Sequence, residues 1–195
     1  LVIACNTATS VAIKHLREVF PSLIIIGTEP GIKPAINNTK TRNIGILATS
    51  STLKGEKYQL LANELTTKSE VKLYEQACIG LVEQIENGEI NSLKTYSMLE
   101  TWLKPMLHNK VDTIVLGCTH YPLVKKTILD IVGEDVLLID TGDAIAKRVV
   151  TLSQDLQNNN KDELNIEILY TGKINSDMVK IILGKNKFEM RKCEL

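Results

Sequence analysis

Two cysteines stand in near-matching surroundings, Ala4-Cys5-Asn6-Thr7-Ala8 and Gly117-Cys118-Thr119-His120-Tyr121-Pro122. Each follows a short aliphatic run, Leu1-Val2-Ile3 or Thr113-Ile114-Val115-Leu116, and each precedes a helix-like stretch. A thiol at a strand-to-helix turn meets the unpaired N–H groups and partial positive charge of a helix N-terminus. That setting favours thiolate and lowers the thiol pKa from about 8.5. Two such turns in one chain predict two sulfurs facing one substrate. Asn6, Thr7 and Thr119 add short polar side chains able to bind a carboxylate. His120, two residues beyond Cys118, is placed to hold or relay a proton.

Three other readings compete. A single strand-end cysteine is usually a small buried hydrophobe. Zinc would find two ligands in Cys118-x-His120 and no matching pair nearby. A nucleophilic Cys-His hydrolase fits the second motif but has no need of the first cysteine. The repetition of the motif favours two opposed sulfurs, and the residues alone leave the rivals standing.

The elements that must position these residues alternate. Apolar runs predict strands at Leu1 to Ala4, Leu23 to Ile26, Ile44 to Ala48, Val71 to Tyr74, Thr113 to Leu116, Val136 to Ile139 and Ile166 to Tyr170. Near-continuous aliphatic strands are those covered on both faces of a parallel sheet. Helical spacing puts Ala12, Leu16, Val19 and Phe20 on one face, and Ile145, Val149, Leu152 and Leu156 on another. Trp102 joins Leu99, Leu103 and Met106 on a third, buried face, and Pro122 reads as a first-turn proline. The alternation predicts an α/β fold with parallel sheets. Polar breaks fall at Gly27 to Pro34, Asn37 to Asn43 and Gln157 to Glu163, the last read as an exposed loop. The likeness of the two cysteine turns is compatible with two related sub-domains.

At 195 residues the chain has room for one large domain or two small ones. Its 23 Lys and Arg balance 23 Asp and Glu, which argues against nucleic-acid binding through bulk positive charge. No apolar run approaches the roughly 18 residues that span a bilayer, and no secretory signal is visible. The four cysteines, at 5, 78, 118 and 193, form no C-x-x-C pair and read as reduced cytosolic thiols. Cys78 is expected to pack in a helix and Cys193 to lie in a charged tail; His15 and His108 read as surface residues. Gly172-Lys173 lacks the spacing of a phosphate-binding loop. The chain opens without Met inside what reads as a buried strand, so upstream residues are expected to be missing.

Longer motifs carry a resemblance. Leu1-Val-Ile-Ala-Cys-Asn-Thr-Ala8 and Gly117-Cys-Thr-His-Tyr-Pro-Leu123 closely resemble the two cysteine motifs of bacterial glutamate racemases. Glu29-Pro-Gly-Ile-Lys-Pro-Ala35, Ala48-Thr-Ser-Ser-Thr52, Asp140-Thr-Gly-Asp-Ala-Ile145 and Tyr170-Thr-Gly172 resemble further family segments in the same order. The resemblance implies two α/β sub-domains with the site in the cleft between them, residues 1–28 plus 142–195 forming the first and 29–141 the second. It implies racemisation without cofactor or metal. One cysteine, as thiolate, removes the α-proton of glutamate, and the other, as thiol, reprotonates the opposite face. Cys5 is then assigned to D-glutamate and Cys118 to L-glutamate, with His120 assisting Cys118. Asn6, Thr7, Thr49, Thr52 and Thr119 match substrate-binding positions, and Glu83 resembles a family acid near the histidine. The implied setting is supply of D-glutamate for peptidoglycan in a bacterial cytoplasm, with a homodimer as the assembly to test and neither nucleic acid nor membrane as partner.

The chain departs from the family pattern at its start. The family's Asp-Ser-Gly and Pro-Tyr-Gly segments, which help form the site, do not occur. The first sub-domain is therefore expected to be incomplete and the chain alone to have little or no activity. The rivals are an aspartate racemase or other superfamily racemase, and a non-catalytic binding or regulatory protein.

Overall fold

The computed structural model describes residues 1–154 and 164–194. Its strands are parallel wherever they pair, and they fall into three sheets. The first half of the chain runs β1 (Val2–Ile3), α1 (Asn6–Val19), β2 (Ile26–Gly27), α2 (Ile32–Asn38), β3 (Asn43–Ala48), α3 (Ser50–Lys54), α4 (Glu56–Ser69) and β4 (Lys72–Ala77). The second half runs α5 (Leu81–Glu86), α6 (Leu93–His108), β5 (Thr113–Leu116), a 3-10 turn (Tyr121–Val124), α7 (Lys125–Val132), β6 (Leu137–Ile139), α8 (Gly142–Leu152), β7 (Ile166–Tyr170), α9 (Ser176–Leu183) and β8 (Phe188–Lys192). A four-stranded sheet has the order β4-β3-β5-β6; β1 pairs with β2 and β7 with β8 in two-stranded sheets.

The central strands β3 and β5 explain why their sequences are so aliphatic. Leu47, Ile114 and Leu116 point to one face, where α5, α6 and α7 bury Leu81, Leu99, Leu103 and Ile128. Ile44, Ile46, Ala48 and Val115 point to the other, against Ile32 and Ala35 of α2 and Tyr58 and Ala62 of α4. Successive strand residues alternate faces, so a strand covered twice must be apolar throughout. At about 25 cal/mol per Å² of apolar surface, these two clusters are the main source of stability. The Asn37 to Asn43 break is a pinned turn. Asp112 accepts hydrogen bonds from the Thr39 hydroxyl and from the Lys40 and Thr41 amides. Burial would raise its carboxyl pKa, but these donors outweigh it and hold the pKa below the usual range.

Several elements differ from the sequence reading. β4 continues to Ala77, past the expected end at Tyr74. It is a sheet edge, where polar residues are tolerated: Glu75 accepts from the Tyr58 hydroxyl at 2.6 Å, and Lys72 lies 4.9 Å over the Tyr74 ring. β2 contracts to two residues. β8 was not expected, because Phe-Glu-Met-Arg-Lys shows little aliphatic character; Glu167 and Arg191, on paired strands, form an ion pair at 3.2 Å. Cys78 is not helical but buried in the turn after β4. The apolar face of α1 is only partly covered, with Val19 and Phe20 about half exposed. The Gln157 to Glu163 loop lies outside the described residues.

Candidate active site

The first cysteine caps a helix. Cys5 takes extended backbone angles at the N-cap of α1, its carbonyl accepts from Thr9 N, and its sulfur accepts from the Ala8 amide at 3.4 Å. The side chain is exposed. The second cysteine ends β5, and the helix does not start at once. A turn through Thr119 and His120 leads into the 3-10 turn, whose first positions carry Pro122. Cys118 is half-buried, and the backbone N–H groups of His120 and Tyr121 point at its sulfur.

These settings act differently on the thiol. The turn geometry predicts a lowered pKa, yet Cys118 is raised above the ordinary thiol range. Burial is the largest cause, and the nearby charges of Cys5 and Glu86 add to it, outweighing the two amides. The two turns are neighbours: Asn6, next to Cys5, is hydrogen-bonded to Gly117, next to Cys118. Cys78, at a third strand end, is pushed up to about 12, chiefly by burial; it is a packed hydrophobe, not a nucleophile.

His120 stands between Cys118 and an acid. Its Nδ1 lies 3.7 Å from the Cys118 sulfur and its Nε2 lies 3.0 Å from Glu86 Oε1. A carboxylate at Nε2 keeps the ring proton there and leaves Nδ1 free to accept from the thiol. The acid is Glu86, not Glu83. Both belong to α5 and both are exposed, but Glu86, at its last position, is the one that reaches the histidine, while the charge of Glu83 acts on Tyr121. The chemistry that could have found Glu86 in the sequence is its place at the helix end, beside the turn.

The polar residues join the two turns. Asn6 is buried, and its Nδ2 donates to Gly117 O at 2.9 Å. Thr7 Oγ1 lies 3.2 Å from Thr49 Oγ1 and 3.0 Å from Thr52 Oγ1, and Thr49 donates to Thr52 at 3.0 Å. The Thr49 oxygen also caps α3 by accepting from Thr52 N. Three hydroxyls thus meet where the first turns of α1 and α3 converge, a donor-rich place for an anion. Thr119 is exposed. It lines a cavity of about 290 Å³ with Ala4, Asn6, Cys118, Asp140 and Ile145. A larger cavity, about 580 Å³, opens beyond His120 and Glu86 toward α9. The smaller is lined by Cys118, and Cys5 lines neither. Among the described residues no three His, Cys, Asp or Glu side chains are grouped to hold a metal ion. Nor is any helix among them long and apolar enough to cross a membrane.

Residues 1–149 match the family described as Asp/Glu/Hydantoin racemase. The chain belongs to that family. A glutamate racemase of Aliarcobacter butzleri is 63% identical over 195 residues, which is all of this chain and 75% of the relative. One from Sulfurovum is 61% identical over 183 residues, 94% of this chain and 69% of its own length. Among solved structures, the glutamate racemase isoform RacE1 of Bacillus anthracis superposes with a TM-score of 0.81 at 30% identity, covering 100% of this chain and 73% of that one. The Escherichia coli glutamate racemase, in complex with L-glutamate and the activator UDP-MurNAc-ala, gives 0.77 at 30% identity, covering 98% and 72%. The chain is an amino-acid racemase, an isomerase, with the α/β fold of those structures.

Proposed function

We propose that the chain interconverts L- and D-glutamate without a cofactor, by two-base proton transfer between Cys5 and Cys118. The observation that carries this is the meeting of the two cysteine turns, joined by the buried hydrogen bond from Asn6 to Gly117. The names of the curated relatives and the L-glutamate held by the Escherichia coli neighbour supply the substrate. From D-glutamate, the Cys5 thiolate takes the α-proton and the bonding pair stays on carbon. The Cys118 S–H then delivers its proton to the opposite face, leaving Cys118 as thiolate and the substrate as L-glutamate. The raised pKa keeps Cys118 protonated at neutral pH, as a donor must be. In the reverse direction Cys118 must first lose that proton. His120 Nδ1 accepts it, and the Glu86 carboxylate balances the charge on the ring.

The substrate carboxylates are assigned to the hydroxyls of Thr7, Thr49, Thr52 and Thr119, with Asn6 beside them. An arriving carboxylate takes over donors now spent on one another. Residues 1–28 and 142–195 are assigned to one α/β domain and 29–141, which holds the four-stranded sheet, to the other. Exposure of Cys5 leaves water at the face where a carbanion forms, so these 195 residues alone should turn over far more slowly than their relatives. The cellular role assigned is D-glutamate supply for peptidoglycan in a bacterial cytoplasm.

Incorporation of α-deuterium from heavy water into glutamate and aspartate tests the reading. Glutamate should gain deuterium, slowly beside the Aliarcobacter butzleri relative and at least about a hundredfold faster than aspartate. No gain over days, or faster labelling of aspartate, overturns it.

A further inference from the structure

We infer that Asn6 is a positioning residue: its side-chain amide joins the Cys118 turn to the Cys5 turn and sets the separation of the two sulfurs. Asn6 follows Cys5 directly, and Gly117 directly precedes Cys118. The bond between them, Nδ2 to O at 2.9 Å, is buried and spans 111 positions of sequence. Each end is fixed independently. Asn6 opens α1, whose first turn is closed by the Cys5 carbonyl and sulfur. Gly117 is held on the central sheet through its own amide, 2.7 Å from Leu47 O. It sits so close to β3 that a Cβ there would lie 2.9 Å from the same oxygen. Thr7, the next residue, bonds to Thr49 and Thr52 beyond the end of β3. Two consecutive residues of α1 therefore grip the ends of two adjacent strands, β5 through Asn6 and β3 through Thr7.

The consequence is geometric. α1 packs weakly, with much of its apolar surface exposed, so hydrophobic contact does not fix its distance from β5. A directional, buried hydrogen bond at the base of both cysteines does. A shift on the order of 1 Å between reacting groups can cost about a hundredfold in rate. This role adds to the substrate-binding assignment of Asn6, and only its kinetic part rests on the racemase reading.

Cross-linking tests it without turnover. In a Cys193→Ser background, Cys5 and Cys118 are treated with dibromobimane, which bridges two nearby thiols, and separately with monobromobimane, which reports each thiol alone. Asn6→Asp keeps the shape and removes the donor; Asn6→Ser shortens the reach. Both variants should lose at least fivefold in the bridging step while single-thiol labelling stays within twofold of the parent chain. Val11→Ala, on the exposed face of α1, should leave both unchanged. Where racemisation is measured, kcat should fall at least tenfold in both directions, over and above any rise in KM from the substrate-binding role of Asn6. Unchanged bridging in the folded variants overturns the proposal, as does a rise in KM with kcat kept. Loss of fold in both Asn6 variants while Val11→Ala stays folded also overturns it, since Asn6 would then hold the chain rather than the sulfurs.

Discussion

Cys5 and Cys118 sit in turns of similar sequence, yet the molecule treats them differently. Cys5 caps a helix that lies half-exposed on a two-stranded sheet, and its sulfur meets one amide and open solvent. Cys118 closes the central strand of a four-stranded sheet buried on both faces, with a histidine, an acid and two amides around the sulfur. A strand-to-helix turn places a thiol. Its character is then decided by how much of the fold closes over it: at Cys118 burial outweighs the amides and keeps the proton on sulfur.

The largest test of this contrast is removal of each sulfur. Cys5→Ala and Cys118→Ala should each abolish racemisation, by at least about 10³-fold, since inversion needs a base and an acid on opposite faces. Circular dichroism of the glutamate pool checks it; a variant that keeps a tenth of the rate removes that sulfur from the mechanism. Next is His120→Asn, expected to lower kcat about 10²-fold, and more so from L-glutamate, where Cys118 must give up its proton, while kcat/KM falls equally in both directions because the enantiomers are equally stable. Glu86→Gln should follow in the same direction with a smaller loss, and Glu83→Gln should do nothing. An equal loss of kcat in both directions would detach the histidine from Cys118.

Stability should divide the same way. Leu103→Ala, in the fully buried cluster behind β5, is expected to cost about 2–5 kcal/mol in denaturant melts. Phe20→Ala, at the end of α1, should cost well under that. In hydrogen exchange, the amides of β3 and β5 should outlast those of β1 and β2.

Much of this was legible in the sequence because double-sided burial leaves a direct mark. Ile44 to Ala48 and Thr113 to Leu116 read as parallel strands since both faces must be apolar, and the cysteines at strand ends followed from them. What escaped reading depends on contacts no run of residues declares. β4 beyond Tyr74 exists because a sheet edge tolerates Glu75 and Gln76, and β8 because Arg191 meets Glu167. Glu86 rather than Glu83 reaches His120 because of where α5 stops. The raised pKa of Cys118 could not be read from its motif, which names the amides but not the burial that outweighs them.

Two smaller effects sharpen the picture around Cys118. Burial holds the Cys78 thiol at about 12, so its proton is bound more tightly in the fold than in the unfolded chain. That contribution is complete below the unfolded value of about 8.5 and is lost as pH rises from there toward 12. Cys78→Ala should therefore flatten the alkaline decline in melting temperature; an unchanged slope would assign the decline to other groups. Tyr121 is fully buried, and among the described residues its hydroxyl has no partner at good hydrogen-bond geometry, the Cys78 thiol being its polar neighbour. Tyr121→Phe should be neutral or stabilising by up to about 1 kcal/mol, and a loss larger than that would mean the hydroxyl is bonded after all.

The central claim is that two different groups serve the two faces of one α-carbon. L-Glutamate incubated in heavy water and quenched below a tenth of conversion tests it, with each enantiomer separated and weighed. The account predicts deuterium at the α-carbon of all the D-glutamate formed and none in the remaining L-glutamate. Deuterium entering both pools at equal rates, or D-glutamate that keeps its original proton, would mean that a single base serves both faces.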